Sequence, residues 1–197
     1  MVVDLWDDIN EGWPQEVQIK YYRQFNIEKL TDEKNPTKTL ETGCKILEDI
    51  GIKYWISQGT LLGFHRDKNF IEGDSDIDIE ILDLVDADKF QEIVEKLPFD
   101  LIRSASLKDK YMQLAFIDPT NNVIFDLWFL YSKDNVILNY TDDGKLHYPK
   151  EYFEKLSTID FKGKSYPSPS DSEWYCKFRY GDDWNIPQYK NRHGRNK

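Results

Sequence analysis

The stretch that decides the fold runs from Tyr54 to Leu82, YWISQGTLLGFHRDKNFIEGDSDIDIEIL. Tyr54–Ile56 reads as a short apolar strand, and Gly59-Thr60 as a turn that opens a short helix. After an irregular segment comes a second strand, in which acids and isoleucines alternate. Successive side chains of a strand point to opposite faces. Ile77, Ile79 and Ile81 therefore share one face, and Asp76, Asp78 and Glu80 share the other. One face can enter a core. The other gathers carboxylates that repel one another unless they take up protons or a cation.

Oxygen-only ligands favour a hard ion such as Mg²⁺, with Mn²⁺ able to take its place. Taken alone, D-I-D-I also fits an edge strand whose outer face is solvated. The turn at Gly59-Thr60 adds a second element: a glycine-led turn at a helix N-terminus offers backbone N–H groups to phosphate. A third element is Asp126, the one charge in VIFDLWFL at residues 123–130. A lone acid inside an apolar strand is costly unless it is paired, protonated or bound to metal. Asp76, Asp78 and Asp126 are therefore read as metal ligands. The alternative for Asp126 is a structural acid bonded to a buried arginine, Arg103 or Arg179.

Outward from this stretch, Pro36 opens a helix to about Ile50, with Leu40, Cys44, Leu47 and Ile50 near helical spacing and Gly51 as its stop. Phe90, Ile93, Val94 and Leu97 make the apolar face of a helix over 87–97. Strands follow at 100–104, 111–117, 123–131 and 135–140, two of them joined through the turn at 118–122. Asp142-Asp143-Gly144 reads as a further turn. A small hairpin spans 157–166, and Ser170 is expected to cap a helix to about Tyr180. Residues 1–34, rich in aromatic and charged side chains, read as a partly helical segment, and the basic tail from Tyr189 as frayed. The 197 residues fit one domain.

The net charge of −10 argues against non-specific binding to nucleic acid or to an anionic membrane. The two cysteines, Cys44 and Cys176, are too few for a disulfide framework, and no Cys/His spacing suggests zinc. No apolar run approaches the ~18 residues of a spanning helix, and residues 1–13 carry acids among their apolar residues, unlike a signal peptide. The expectation is a soluble, cytoplasmic chain.

These residues together resemble a known family. A Gly-Thr turn, a D-x-D on a strand and a single acid on a later strand are similar to the pattern of the polymerase-beta-like nucleotidyltransferase superfamily. More narrowly, GTLLG at 59–63, Arg66, DSDIDI at 74–79, and Tyr180-Gly181-Asp182-Asp183-Trp184 with Pro187 beyond it resemble the LicD/fukutin family. The resemblance implies an α/β fold: a nucleotidyltransferase-like mixed, mostly antiparallel sheet with helices on one face and a small C-terminal helical cap over 168–197. It also implies a Mg²⁺-dependent transferase that moves an alcohol phosphate, such as phosphocholine or ribitol phosphate, from a CDP-linked donor to a glycan hydroxyl.

Carried onto this chain, Gly59 and Thr60 would hold donor phosphates and Arg66 would neutralise diphosphate charge. Asp76 and Asp78 would ligate the metal, Asp74 would be a further ligand, and Asp126 would be metal ligand or general base. Tyr180 or Trp184 would stack on a base or sugar. For that last block the residues alone offer an equal alternative, a helix stopped by Gly181 with Trp184 anchoring the tail. Two other functions fit a similar site: transfer of NMP from an NTP to a small hydroxyl compound, and binding of nucleotide or glycan without catalysis. CDP-alcohols tested against NTPs would separate them.

Overall fold

The structure is a computed structural model that describes residues 17–22, 34–84, 86–141 and 144–187. Its elements follow in the order β1 (Gln18–Tyr21), α1 (Pro36–Asp49), β2 (Trp55–Ile56), α2 (Gln58–Arg66), β3 (Asp76–Leu82), α3 (Ala87–Lys96), β4 (Asp100–Leu107) and β5 (Lys110–Asp118). Then come β6 (Val123–Lys133), β7 (Val136–Thr141), β8 (Gly144–Pro149), α4 (Glu151–Glu154), β9 (Ser157–Phe161), β10 (Lys164–Ser168) and α5 (Ser172–Tyr180). This is a mixed α/β arrangement dominated by its sheet.

Six strands lie side by side in the order β1-β4-β5-β6-β3-β2, and the far end of β6 continues into β7 and β8. Every pairing among the described strands is antiparallel except one. β3 runs parallel to β6, with Asp76 opposite Ile124, Asp78 opposite Asp126 and Glu80 opposite Trp128. Antiparallel partners can be joined by tight turns, whereas a parallel pair needs a long crossover. Here α3, β4 and β5 intervene between the two parallel strands.

This pairing makes β3 an interior strand. Residues 77–81 are buried on both faces, which overturns the alternative of an edge strand with a solvated outer face. Ile77, Ile79 and Ile81 pack with Phe125, Leu127 and Phe129 in the core. That face is covered by α1, whose Gly43 lies against the Phe125 ring, and by α3, whose Phe90 meets Phe129 at 4.8 Å. The acidic face is met by α5, through Tyr175 and Glu80, and by the start of α2, through Gly59 and Asp78. Helices therefore meet both faces of β3, and the expectation of helices on one face is corrected. The physical reason is that the acidic face buries too, and needs polar cover of its own.

Local chemistry explains most boundaries. Asn35 caps α1, its side chain accepting from Lys38 N–H, with Pro36 in the first turn. Asp86 caps α3 through Asp88 N–H. The cap of α5 is Asp171, whose carboxylate accepts from Trp174 N–H at 2.8 Å, and not Ser170. A charged oxygen is the stronger acceptor for those donors.

Two strands escape the sequence reading. Gln18–Tyr21, expected within a partly helical segment, is an edge strand on β4. Its alternation of polar and apolar residues suits such an edge. Gly144–Pro149 is strand β8, where Leu146 and Tyr148 alternate with Lys145 and His147. That alternation was a usable signal. Residues 1–16 and 23–33, the turn residues Asp142 and Asp143, and the tail from residue 188 lie outside the described residues. No described helix is long and apolar enough to cross a membrane.

Candidate functional site

The parallel pairing carries Asp126 of β6 to the side of Asp78 on β3. One carboxylate oxygen from each of Asp76, Asp78 and Asp126 lies within 4.8 Å of the others. Asp78 and Asp126 are buried, at 7% and 4% exposure, while Asp76 is half-buried. Three carboxylates at this spacing are an all-oxygen set that suits a hard divalent cation. They also place a carboxylate where it could accept a proton.

Asp78 is the most constrained of the three. Burial, and then the charges of Asp76 and Asp126, push its carboxyl well above the usual carboxylate range, while Arg179 and the Trp128 indole pull it back. Four groups hold it in place. Trp128 Nε1–H donates to Oδ1 at 3.1 Å, and Gly59 N–H donates to Oδ2 at 3.1 Å. Asp78 N–H donates to Thr60 Oγ1 at 2.9 Å, and the Asp78 carbonyl accepts from Ser57 N–H at 3.1 Å.

Gly59 and Thr60 therefore meet Asp78 directly, and the Gly59 N–H that the sequence reading offers to phosphate is bonded to a carboxylate here. The glycine fits for lack of room: a Cβ there would lie 3.0 Å from Asp74 Oδ2 and 3.4 Å from Asp78 Oδ2. Gln58, just before it, has φ +45°. Such a backbone is uncommon outside glycine and clusters at functional sites.

Glu80, two residues beyond Asp78, has a different setting. It is fully buried and accepts three bonds, from Trp55 Nε1–H at 2.7 Å, Asn139 Nδ2–H at 2.8 Å and Tyr175 O–H at 3.0 Å. Tyr175 OH in turn accepts from Gln58 N–H, and Gln58 Oε1 and Tyr148 OH accept from Arg179. Burial pushes the Glu80 carboxyl up to about 7, against the pull of Arg179 and these donors. The network ties β3, α2, β7 and α5 into one block. Sequence reading places Glu80 on the acidic face but foresees no network; a carboxylate followed by no clue to its donors gives none.

The remaining predicted residues are placed unevenly. The Asp74 carboxylate lies beside Gly59, outside the group of three, with Oδ1 accepting from Ser75 N–H. Arg66 stands at the other end of α2, about 10 Å along the axis from Gly59 at 1.5 Å per residue, and pairs with Asp67 through two bonds of 2.7 Å. Tyr180 ends α5; burial raises its hydroxyl, and the nearby Asp78 charge raises it further. Trp184 stacks on His65 of α2, ring centroids 5.1 Å apart. Gly181, at φ +92°, stops α5. Gly181 thus closes the helix, and Trp184 packs back on α2.

On the other side of Asp76 and Asp126 a cleft of about 520 Å³ opens, lined by residues of β1, β4, β5 and β6. Arg103 lines it from β4, on the strand that the sequence places at 100–104. The register gives a reason: Arg103 pairs with Ala115, and Ala115 with Asp126. The small methyl of Ala115 leaves the space between them open.

Comparison with known proteins bears on this site. A family model described as "LicD/FKTN/FKRP, nucleotidyltransferase domain" matches residues 51–171, which include the whole carboxylate group. The chain is similar to the ribitol-5-phosphate transferase FKTN of Homo sapiens, with 23% identity over 177 residues (85% of this chain, 37% of that protein). It is similar to the ribitol 5-phosphate transferase FKRP of Homo sapiens, with 23% identity over 159 residues (74% of this chain, 31% of that protein). It thus spans about a third of the length of these curated relatives. Among solved structures it is similar to that of ANT(2")-Ia in complex with adenylyl-2"-tobramycin, with a TM-score of 0.37 and 14% identity, covering 68% of this chain and 70% of that one.

Proposed function

The chain belongs to the LicD/FKTN/FKRP family, and from that membership we propose that it transfers an alcohol phosphate, ribitol 5-phosphate or a similar polyol or choline phosphate, from a CDP-linked donor to a glycan hydroxyl. The fold is then a nucleotidyltransferase-like one, and the cation it uses is Mg²⁺, or Mn²⁺ in its place. One observation carries the reading. The parallel β3–β6 pairing sets Asp126 against Asp76 and Asp78, so that their oxygens converge within 4.8 Å. The relatives' names, as ribitol-phosphate transferases, support the group that is moved.

In this reading the acceptor hydroxyl oxygen forms a bond to the phosphorus that bears the alcohol. The bond from that phosphorus to the oxygen bridging to CMP breaks, and CMP leaves with the electron pair. Transfer of this kind is mostly positioning and charge stabilisation. Bound Mg²⁺ would neutralise the donor diphosphate and the departing CMP. Asp76, Asp78 and Asp126 would hold it. Asp126, which alone of the two buried members of this group lines the open cleft, takes the proton of the acceptor hydroxyl. Trp128, Gly59 and Thr60 fix Asp78 so that its carboxylate need not reorganise. Tyr180, at the acid-facing end of α5, closes the donor side.

The test is a thermal-shift and calorimetry panel of CDP-ribitol, CDP-glycerol, CDP-choline, CTP, ATP and UTP, each with and without Mg²⁺, because a ligand of the native state raises its melting point by mass action. Stabilisation by a CDP-alcohol that needs Mg²⁺, and that disappears in Asp76→Asn, is the expected result. NTPs that stabilise while CDP-alcohols do nothing would replace this reading with NMP transfer. Silence from all six would leave a non-catalytic binding module.

A further inference from the structure

The cleft beside Asp126 is lined by the apolar residues Ala115, Ile117 and Ile124 and by two cations, Arg103 and Lys34. Arg103 and Asp126 stand two strands apart with Ala115 between them, a separation of about 10 Å between backbones at the usual strand spacing. Neither Arg103 nor Lys34 forms an ion pair with any described residue. The volume, about 520 Å³, is within the ordinary range for a small-molecule site.

Which substrate enters here follows from the two flanks of the carboxylates. On the flank of α2 and α5, Asp78 is walled in by Gly59, Thr60 and Trp128. On the other, Asp76 and Asp126 line the cleft directly. A hydroxyl that gives its proton to Asp126 has to arrive from the side on which Asp126 is open. That side is the cleft. A neutral sugar would gain from the apolar lining and from Tyr21, but it would leave the Arg103 and Lys34 charges without a counter-ion among the described residues. A phosphate or carboxylate on the acceptor answers both, because a guanidinium meets such a group through paired, charge-assisted hydrogen bonds.

We propose that this cleft is the acceptor subsite and that it selects an acidic glycan, with Arg103 and Lys34 binding a phosphate or carboxylate on the sugar while its reacting hydroxyl lies at Asp126. The inference rests on the transferase reading above, and names the acceptor class for it. Its chemistry is the anionic group; the two sources, a sugar phosphate and a uronic acid, are separated by the probes.

The experiment titrates glucose 6-phosphate, glucuronate and glucose into the full chain in the presence of Mg²⁺, followed by ligand-observed NMR and calorimetry, with CDP-ribitol titrated in parallel. The acidic sugars are expected to bind at least about ten-fold more tightly than glucose, the factor that one charge-assisted bond supplies. Arg103→Gln and Lys34→Gln should each remove most of that preference, Arg103→Lys should retain part of it, and none should move the CDP-ribitol affinity more than about two-fold. Thermal melts of each variant confirm that the fold is kept.

Equal binding of glucose and the acidic sugars overturns the proposal. So does an Arg103→Gln variant that loses CDP-ribitol and keeps the acidic sugars, since the cleft would then belong to the donor. A chain that binds no CDP-alcohol and no NTP, yet prefers acidic sugars through Arg103, overturns the transferase reading instead and leaves an acidic-glycan site standing.

Discussion

Asp78 and Glu80 stand two positions apart on one face of one strand, are both buried, and live in opposite surroundings. Glu80 belongs to a sealed half: three donors reach it, and behind them Tyr175, Gln58 and Arg179 close the network. Asp78 belongs to a half whose nearest charges are two more carboxylates. The difference teaches how a buried acid's role is set. A carboxylate surrounded by neutral donors is a structural tie, and one surrounded by carboxylates is a demand for a cation. The alternating sequence is the same for both. Only their neighbours across the sheet differ.

The largest effect should come from neutralising the open half. Asp78→Asn and Asp126→Asn are expected to lower turnover about 10³-fold or more, the several kcal/mol that a positioned cation contributes to transferred charge. Their resistance to urea should be kept or slightly raised, because a like-charge neighbour is gone. A variant that unfolds in place of losing turnover would break the comparison.

Glu80→Ala is the mirror experiment. It leaves Trp55 Nε1–H, Asn139 Nδ2–H and Tyr175 O–H without their acceptor, and should cost about 3 kcal/mol in urea unfolding. A loss well under 1 kcal/mol would show that the network ties nothing. Gly59→Ala is subtler: its Cβ would press on Asp74 and Asp78 oxygens, with an expected ten-fold or so loss of cation affinity at nearly unchanged stability, about 1.4 kcal/mol on binding. Calorimetry with Mn²⁺ reads this directly.

Acidity sharpens the comparison further. Burial, with Asp76 and Asp126, raises the Asp78 carboxyl, so a cation has to displace a proton to bind it. Affinity should therefore climb with pH, by up to about ten-fold per unit for one displaced proton, and level off above the raised value. In the cation-free protein the sign is the reverse. A raised acid contributes stability that is fully present below its unfolded value near ~4 and lost as pH rises through the folded one. Asp78→Asn should flatten both profiles, measured by Mn²⁺ titration and by melts from pH 4 to 8. Smallest of all, Trp184→Ala removes the stack on His65 and should cost about 0.5–1.5 kcal/mol of stability, with turnover little changed. A large loss of CDP-ribitol affinity would instead make Trp184 a ligand platform.

Much of the site was legible because it rests on period and exception. Period two put Asp76, Asp78 and Glu80 together, and Asp126 stood out as a charge where a strand should have none. The α1 and α3 helices and most strands were legible in the same way, from local chemistry. What stayed hidden has a common cause. Arg103 was one of two candidate partners for Asp126, and its place in the cleft depends on Ala115 and Asp126, which are its neighbours only through two strand pairings. Gly59 looked like a phosphate cradle because the sequence does not say that a carboxylate already occupies its N–H. Gly144–Pro149 had the alternation of a strand, but its partner β7 was needed to hold it.

By itself, then, the sequence determined which residues carry charge into apolar strands and which way they face, since those follow from bond geometry within a few residues. The tertiary structure decided which acids meet. The parallel register of β3 on β6 sets Asp78 against Asp126, and β2, β7 and α5 each bring Glu80 one of its three donors. Such contacts join residues far apart in the chain, and Coulomb and hydrogen-bond energies depend on distance in space, which no spacing along the chain encodes.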